Sequence, residues 1–227
     1  HLGAIPVLVD GEPDTLNIDA RRLEAAITPR TKAVIPVHLY GHPCDMESIG
    51  DIAGTHRLLI IEDAAHAVGA AWRGQRVGTL STATVFSFYA TKNLTTAEGG
   101  MITTENDEYA EAMRIWVLHG ISRDAWKRYS AEGSWYYEVT VPGYKYNLTD
   151  LQSALGLHQL ARLELMTQRR AKLAARYRDG LRDLPEIELP AARPGIRHAW
   201  HLYDSFDQPV QHPLGPEASA RRVVQHH

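Results

Sequence analysis

Four aliphatic residues in a row, Leu58-Leu59-Ile60-Ile61, end abruptly at two acids, Glu62-Asp63. A run of strand length with no polar alternation reads as a strand covered on both faces, the situation of parallel strands between helical layers. Its surroundings agree. Upstream, Ile5 to Val9 is apolar and β-branched, and Asp10-Gly11-Glu12-Pro13-Asp14 closes it with a turn signal. Asp19 to Ile27 spaces Leu23, Ala26 and Ile27 as a short amphipathic helix that stops before Pro29. Ala33 to Leu39 reads as a second strand, and Asp45 to His56 as a helix with Met46, Ile49, Ile52 and Ala53 on one face. Strand and helix alternate in this way through the first 120 residues, which predicts a layered α/β sheet.

Thr82 to Phe88 and Met101 to Thr104 read as further strands around a polar, glycine-containing loop, and Asn106 to Leu118 as a helix. Residues 120–146 are irregular and rich in aromatics, among them Trp135, Tyr136, Tyr137 and Tyr144. Thr149-Asp150-Leu151-Gln152 is a capping box that opens a helical stretch towards Arg178. Trp200 to Phe206 reads as the start of a strand, followed by a segment with three prolines between Asp207 and Pro216. The ends look cut: His1 brings neither an initiator Met nor a signal peptide, so the expectation is the middle of a longer protein.

Charge and composition exclude several classes. With 24 basic against 27 acidic residues, the net charge of −3 leaves no footprint for nucleic acid or an anionic membrane. No aliphatic run approaches the ~20 residues of a membrane helix. A single cysteine, Cys44, excludes an internal disulfide and a multi-cysteine metal site, so no metal is expected. A soluble, cytoplasmic protein is expected.

Open α/β sheets bind ligands beyond the carboxyl ends of their strands. Glu62-Asp63 and the stretch Ser87 to Lys92 both fall there. Read alone, Asp63 is an ordinary structural acid, Lys92 a solvated loop lysine, Ser87 a strand-end hydroxyl and Gly99-Gly100 a plain turn. Read together they suit a different task. A lysine amine of depressed pKa forms a Schiff base with an aldehyde, a carboxylate on a neighbouring strand pairs with a protonated pyridine nitrogen, and a serine donates to a phosphate. Spacing leaves both readings open.

Five ordered motifs narrow the choice. Val37-His-Leu-Tyr-Gly41, Glu62-Asp-Ala-Ala-His-Ala-Val-Gly69, Phe86-Ser-Phe-Tyr-Ala-Thr-Lys-Asn-Leu-Thr-Thr-Ala-Glu-Gly-Gly100, Pro142-Gly-Tyr-Lys-Tyr-Asn-Leu-Thr-Asp150 and His198-Ala-Trp-His-Leu-Tyr203 resemble the DegT/StrS family. These are pyridoxal 5'-phosphate (PLP)-dependent aminotransferases acting on nucleotide-linked keto-sugars, and the closest likeness is to enzymes that aminate UDP-4-keto-sugars. The resemblance implies a PLP-dependent transferase of fold type I, with a mixed, mostly parallel sheet and flanking helices, truncated at both ends. It implies a partial large PLP-binding domain at 1–165, the start of a small C-terminal domain at 166–206 and an irregular tail at 207–227.

By the same resemblance Lys92 is the internal-aldimine lysine and proton shuttle, and Asp63 the acid that keeps the pyridine nitrogen protonated. His66 sits near the cofactor's 3-hydroxyl, though a packed structural histidine fits the sequence as well. Ser87 binds the phosphate. Asn147 reaches the phosphate of a neighbouring subunit, which implies a homodimer with a shared site and an interface loop at 134–147. Lys145 is by default a solvated lysine, and His119 equally a helix C-terminal cation. The implied reaction moves an amino group from glutamate to a keto group of a nucleotide-linked sugar. A lysine at position 92 argues against the family branch that dehydrates sugars, which has histidine there.

Two family elements have no counterpart in the chain: an N-terminal phosphate-binding loop with an aromatic ring that stacks on the cofactor, and the completion of the small domain after Tyr203. A non-catalytic remnant or regulatory subunit of the same fold is therefore the competing expectation. A nicotinamide-binding protein would need a G-x-G-x-x-G after a strand, which the chain lacks.

Overall fold

A computed structural model describes residues 2–121, 138–191, 193–207 and 223–226. In chain order the elements are α1 (Ala20–Ala26), β1 (Ala33–Val34), α2 (Met46–His56), β2 (Leu59–Asp63), β3 (Ala71–Trp72), β4 (Gln75–Arg76), β5 (Ala83–Ser87) and β6 (Gly100–Thr103). There follow α3 (Asp107–Trp116), α4 (Asp150–Ala161), α5 (Leu163–Leu181), β7 (Ile187–Glu188), β8 (Ile196–Arg197), β9 (Tyr203–Asp207) and β10 (Val223–His226). The expected boundary at residue 165 falls inside α5, near its start. The expected tail at 207–227 lies mostly outside the described residues, as do 134–137 of the expected interface loop.

The central sheet runs in the order β1-β2-β5-β6. β1, β2 and β5 are mutually parallel, with Val34 opposite Ile60 and Asp63 opposite Val85, and β6 is antiparallel at the edge. This is the expected mixed, mostly parallel sheet. Two small antiparallel sheets have the orders β10-β9-β7 and β4-β3-β8.

Helix starts follow side-chain chemistry. Asp19 and Asp45 cap α1 and α2 by accepting the N–H of Arg21 and Ser48. Thr149 and Gln152 close the predicted capping box at α4, each side chain bonded to the other's backbone. The helical stretch breaks at Arg162 and resumes as α5.

α1 and α2 cover one face of the sheet. Leu23, Met46, Ile49 and Ala53 from the helices pack with Val34 and Ile60 from the strands. Fully burying an aliphatic side chain of this kind stabilises by about 1.5–3 kcal/mol. Phe86, together with Ala64, Ala67, Ala70, Val77 and Ala199, continues the packed layer across β5. The expectation that Leu58–Ile61 is buried on both faces is corrected. β2 alternates: Ile60 and Glu62 are buried, while Leu59 is 43% exposed and Ile61 and Asp63 are half-buried. Leu59 lies opposite Ala33 and Val85 opposite Ile102, and with Ile35, 61% exposed, they leave the second face open and apolar.

The expected strand at Ile5–Val9 does not form. The segment joins no ladder among the described residues, and Leu2, Ile5, Val7 and Leu8 are exposed. β-branched composition favours extension, but a strand exists only where a neighbour takes its N–H and C=O groups. Here the first pairing is the antiparallel bridge between Gly11 and Ile18.

Candidate active site

Alternation along β2 and β5 decides what faces where. Glu62 and Thr84 lie opposite each other on the packed face, and Asp63 and Val85 on the open face. Ser87, two residues beyond Val85, shares the open face at the end of β5. Asp63 and Ser87 thus stand at the carboxyl ends of neighbouring parallel strands, on the same side of the sheet. Asp63 is fixed from both directions: its N–H donates to Pro36 O at 2.9 Å, its carbonyl accepts from His38 N–H at 3.0 Å, and Oδ1 accepts the Ala65 N–H at 3.0 Å.

The loop after β5 is closed by its own hydrogen bonds. Phe88 N–H donates to Gly99 O at 2.8 Å and Thr96 N–H to Phe88 O at 2.9 Å. Ser87 Oγ accepts from Tyr89 N–H, whose carbonyl accepts the Lys92 N–H, so the serine and the lysine belong to one turn. Burial lowers the Lys92 pKa below the ordinary lysine value, and the nearby Asp63 charge opposes that shift. An amine in such surroundings is neutral over a wider pH range than a solvated one.

His66 follows β2 and is half-buried. Its Nδ1 accepts the Tyr40 N–H at 3.3 Å, and its ring lies 4.4 Å from that of His201. Burial lowers its pKa, reinforced by Lys92 and opposed by Asp63. Asp63, His66, Lys92 and His201 therefore share one neighbourhood, and the first three are among the residues expected from sequence.

Asn147 is exposed, its Oδ1 accepts from Lys145 Nζ, and no hydrogen bond joins it to Asp63, Ser87 or Lys92 among the described residues. Its segment is held at the end of α3, where Tyr144 N–H donates to Trp116 O and Tyr146 N–H to Val117 O. Gly120, at φ +70°, permits this docking, because a Cβ there would meet Val141 O at an impossible distance. His119 donates its backbone N–H to Tyr144 O and so is held to this segment.

Sequence reasoning passed over Asn93 and His201 as individual residues. Asn93 is buried beside Lys92, with Oδ1 3.0 Å from His201 Nδ1 across 108 positions of chain. The only signal was that both lie in recognised motifs. Glu62, placed at the strand end by sequence but given no role of its own, is fully buried and accepts from His38 Nε2 at 2.7 Å, Ser81 Oγ at 2.6 Å and Thr84 Oγ1 at 2.7 Å. His38 Nδ1 accepts the Cys44 N–H, so its hydrogen is on Nε2 and donates to Glu62.

With this geometry in hand, comparison with known proteins is decisive. Residues 1–209 match the profile of the DegT/DnrJ/EryC1/StrS aminotransferase family. The chain belongs to this family. It is 54% identical over 203 residues to the spore coat polysaccharide biosynthesis protein SpsC of Bacillus subtilis, covering 89% of this chain and 52% of SpsC. Among solved structures, DesV of S. venezuelae superposes with a TM-score of 0.83 at 40% identity, covering 91% of this chain and 53% of DesV. The sugar aminotransferase Spr1654 of Streptococcus pneumoniae in its PMP form superposes with a TM-score of 0.85 at 36% identity, covering 92% and 57%. Spr1654 is also known in a PLP form, which supports PLP as the cofactor expected from sequence. This family member spans about half the length of the curated relatives it matches. Its fold is that of PLP-dependent aminotransferases. Among the described residues, no helix is long and apolar enough to cross a membrane.

Proposed function

We propose that the chain carries the cofactor-binding strands and the catalytic lysine of a PLP-dependent sugar aminotransferase, with glutamate as amino donor and a nucleotide-linked keto-sugar as acceptor. The observation that carries the reading is that Asp63 and Ser87 share one face at the ends of neighbouring parallel strands, with Lys92 closing the turn behind Ser87. The polysaccharide role in the name of SpsC supports a sugar acceptor. Residues 1–165 form part of the large domain in this reading, and 166–206 begin the small one. A homodimer brings Asn147 of one subunit to the phosphate held by the other.

The donor set suits PLP. Asp63 offers an acceptor-only carboxylate for a protonated ring nitrogen, and Ser87 Oγ, accepting from Tyr89 N–H, keeps its own hydrogen for a phosphate oxygen. When bound, PLP supplies an aldehyde that captures amines and a ring that withdraws electrons from the adjacent carbon. Lys92 Nζ, its pKa lowered by burial, is both the amine that attaches and the base that moves a proton to and from the substrate carbon. Asp63 holds the proton at the ring nitrogen, which is electrostatic stabilisation supplied in advance. His66, with Nδ1 accepting from Tyr40, offers Nε2–H to the ring's oxygen substituent.

The test is the first half-reaction: protein loaded with PLP is given glutamate, and 2-oxoglutarate is measured against bound PLP. One equivalent supports the reading. No 2-oxoglutarate from PLP-loaded protein supports instead a remnant of the fold without turnover.

A further inference from the structure

The side chain of Asn93 is committed in two directions. Its Nδ2 donates to Ala199 O at 2.8 Å, which leaves only Oδ1 to face His201 Nδ1 at 3.0 Å. A carboxamide oxygen accepts and never donates, so the hydrogen must be on His201 Nδ1. Burial, together with the charges of His66, Lys92 and Arg170, pushes the His201 pKa down to about 3, so the ring is neutral and its Nε2 is bare. No hydrogen bond among the described residues engages that Nε2.

His66 is set the other way. Its Nδ1 accepts from Tyr40 N–H, which puts the hydrogen of the neutral ring on Nε2. Tyr40 holds both histidines, since its carbonyl accepts the His201 N–H at 2.9 Å. Its left-handed φ of 55° lets one residue turn its N–H and its C=O to these two partners. The ring centroids are 4.4 Å apart and the ring planes inclined at 35°.

We propose that Asn93 is a positioning residue acting through His201: it fixes the Nδ1–H tautomer and leaves Nε2 as a hydrogen-bond acceptor for the proton-bearing nitrogen of Lys92. The side chains of Asn93 and His201 thereby couple the 199–203 segment to the lysine. The consequence rests on the aminotransferase reading, whereas the tautomer does not.

The experiment is side-chain ¹⁵N NMR of the labelled chain without cofactor, followed by a pH titration of the visible band with PLP added. In the unsubstituted protein His201 is expected to show a protonated Nδ1 and a bare Nε2 at neutral pH. Asn93→Ala should lose that single tautomer. Asn93→Asp, whose carboxylate still accepts from Nδ1, should restore it. In the PLP-loaded protein Asn93→Ala should move the midpoint of the visible band down by about one pH unit, the equivalent of one hydrogen bond to a charged group, and Asn93→Asp should reverse that shift. A protonated Nε2 or a tautomer mixture in the unsubstituted protein overturns the proposal, and that result needs no variant to fold. An unchanged midpoint in Asn93→Ala, with the tautomer lost, also overturns it by leaving Asn93 a structural role only. Absence of any PLP band would count against the aminotransferase reading, while the tautomer result would stand.

Discussion

Glu62 and Asp63 are consecutive residues whose side chains lie on opposite faces of one strand. Glu62 points into the packed layer and accepts from His38, Ser81 and Thr84. Asp63 points to the open face and accepts from the Ala65 N–H. Two acids of the same chemistry are thereby divided, one anchoring the strand and the other presented to a ligand.

The anchor should show in stability. Glu62→Gln leaves His38, Ser81 and Thr84 with a weaker acceptor and buries a new N–H₂, at a cost of about 2–3 kcal/mol in urea unfolding. The pH dependence has a definite sign. Burial raises the Glu62 pKa, but the three donors outweigh it and the net shift is downward. Its contribution is therefore full above the ordinary carboxylate pKa and is lost as pH falls through the depressed folded value. The acid arm of the stability curve should be shallower in Glu62→Gln than in the unsubstituted protein; equal slopes would contradict this.

Asp63→Asn should behave differently. The asparagine keeps an oxygen for the Ala65 N–H, so stability should change by less than about 0.5 kcal/mol. The glutamate half-reaction should slow by roughly 100-fold, because a neutral amide no longer holds the proton on the ring nitrogen. A rate within a few-fold of the unsubstituted protein would remove Asp63 from this role.

The pH dependence of Lys92 also has a fixed direction. Burial lowers its pKa, so PLP attachment, trapped by borohydride at successive pH values, should reach half its maximum rate at lower pH than attachment to a free lysine derivative. A midpoint at or above that of the free amine would mean that Lys92 is simply solvated.

The cap of α4 is a separate test of local structure. Thr149→Ala removes the acceptor for Gln152 N–H and should cost about 1 kcal/mol, with earlier amide exchange in the first turn of α4; Thr149→Ser should retain most of it. Gln152 also donates to Glu98 O at 2.8 Å, so the loss should reach the loop that carries Lys92. Exchange in α4 unchanged by Thr149→Ala would contradict the capping account.

What could be read from the sequence was whatever depends on neighbours along the chain. The face of α2, the capping box at Thr149 and Gln152, and the strands on either side of the Lys92 loop all follow local periodicity or spacing. The failures share a cause. Ile5–Val9 has a strand's composition, but its pairing depends on residues elsewhere in space. The half-open face of β2 depends on which layers cover it, and four aliphatic residues cannot report that. The pairing of Glu62 with His38 spans 24 positions and that of Asn93 with His201 spans 108, so neither leaves a pattern at helix or strand period. The resemblance to a family supplied Lys92, Asp63, His66 and Ser87, and the fold then brings Asp63, His66 and Lys92 into one neighbourhood.

The most direct test of the account is to load the chain with PLP, reduce it with borohydride and map the modified peptide by mass. The account predicts the adduct on the peptide containing Lys92, and its disappearance in Lys92→Ala while Asp63→Asn still carries it. An adduct spread over Lys32, Lys145 and Lys172, or one retained by Lys92→Ala, would contradict the assignment of Lys92 as the residue that holds the cofactor.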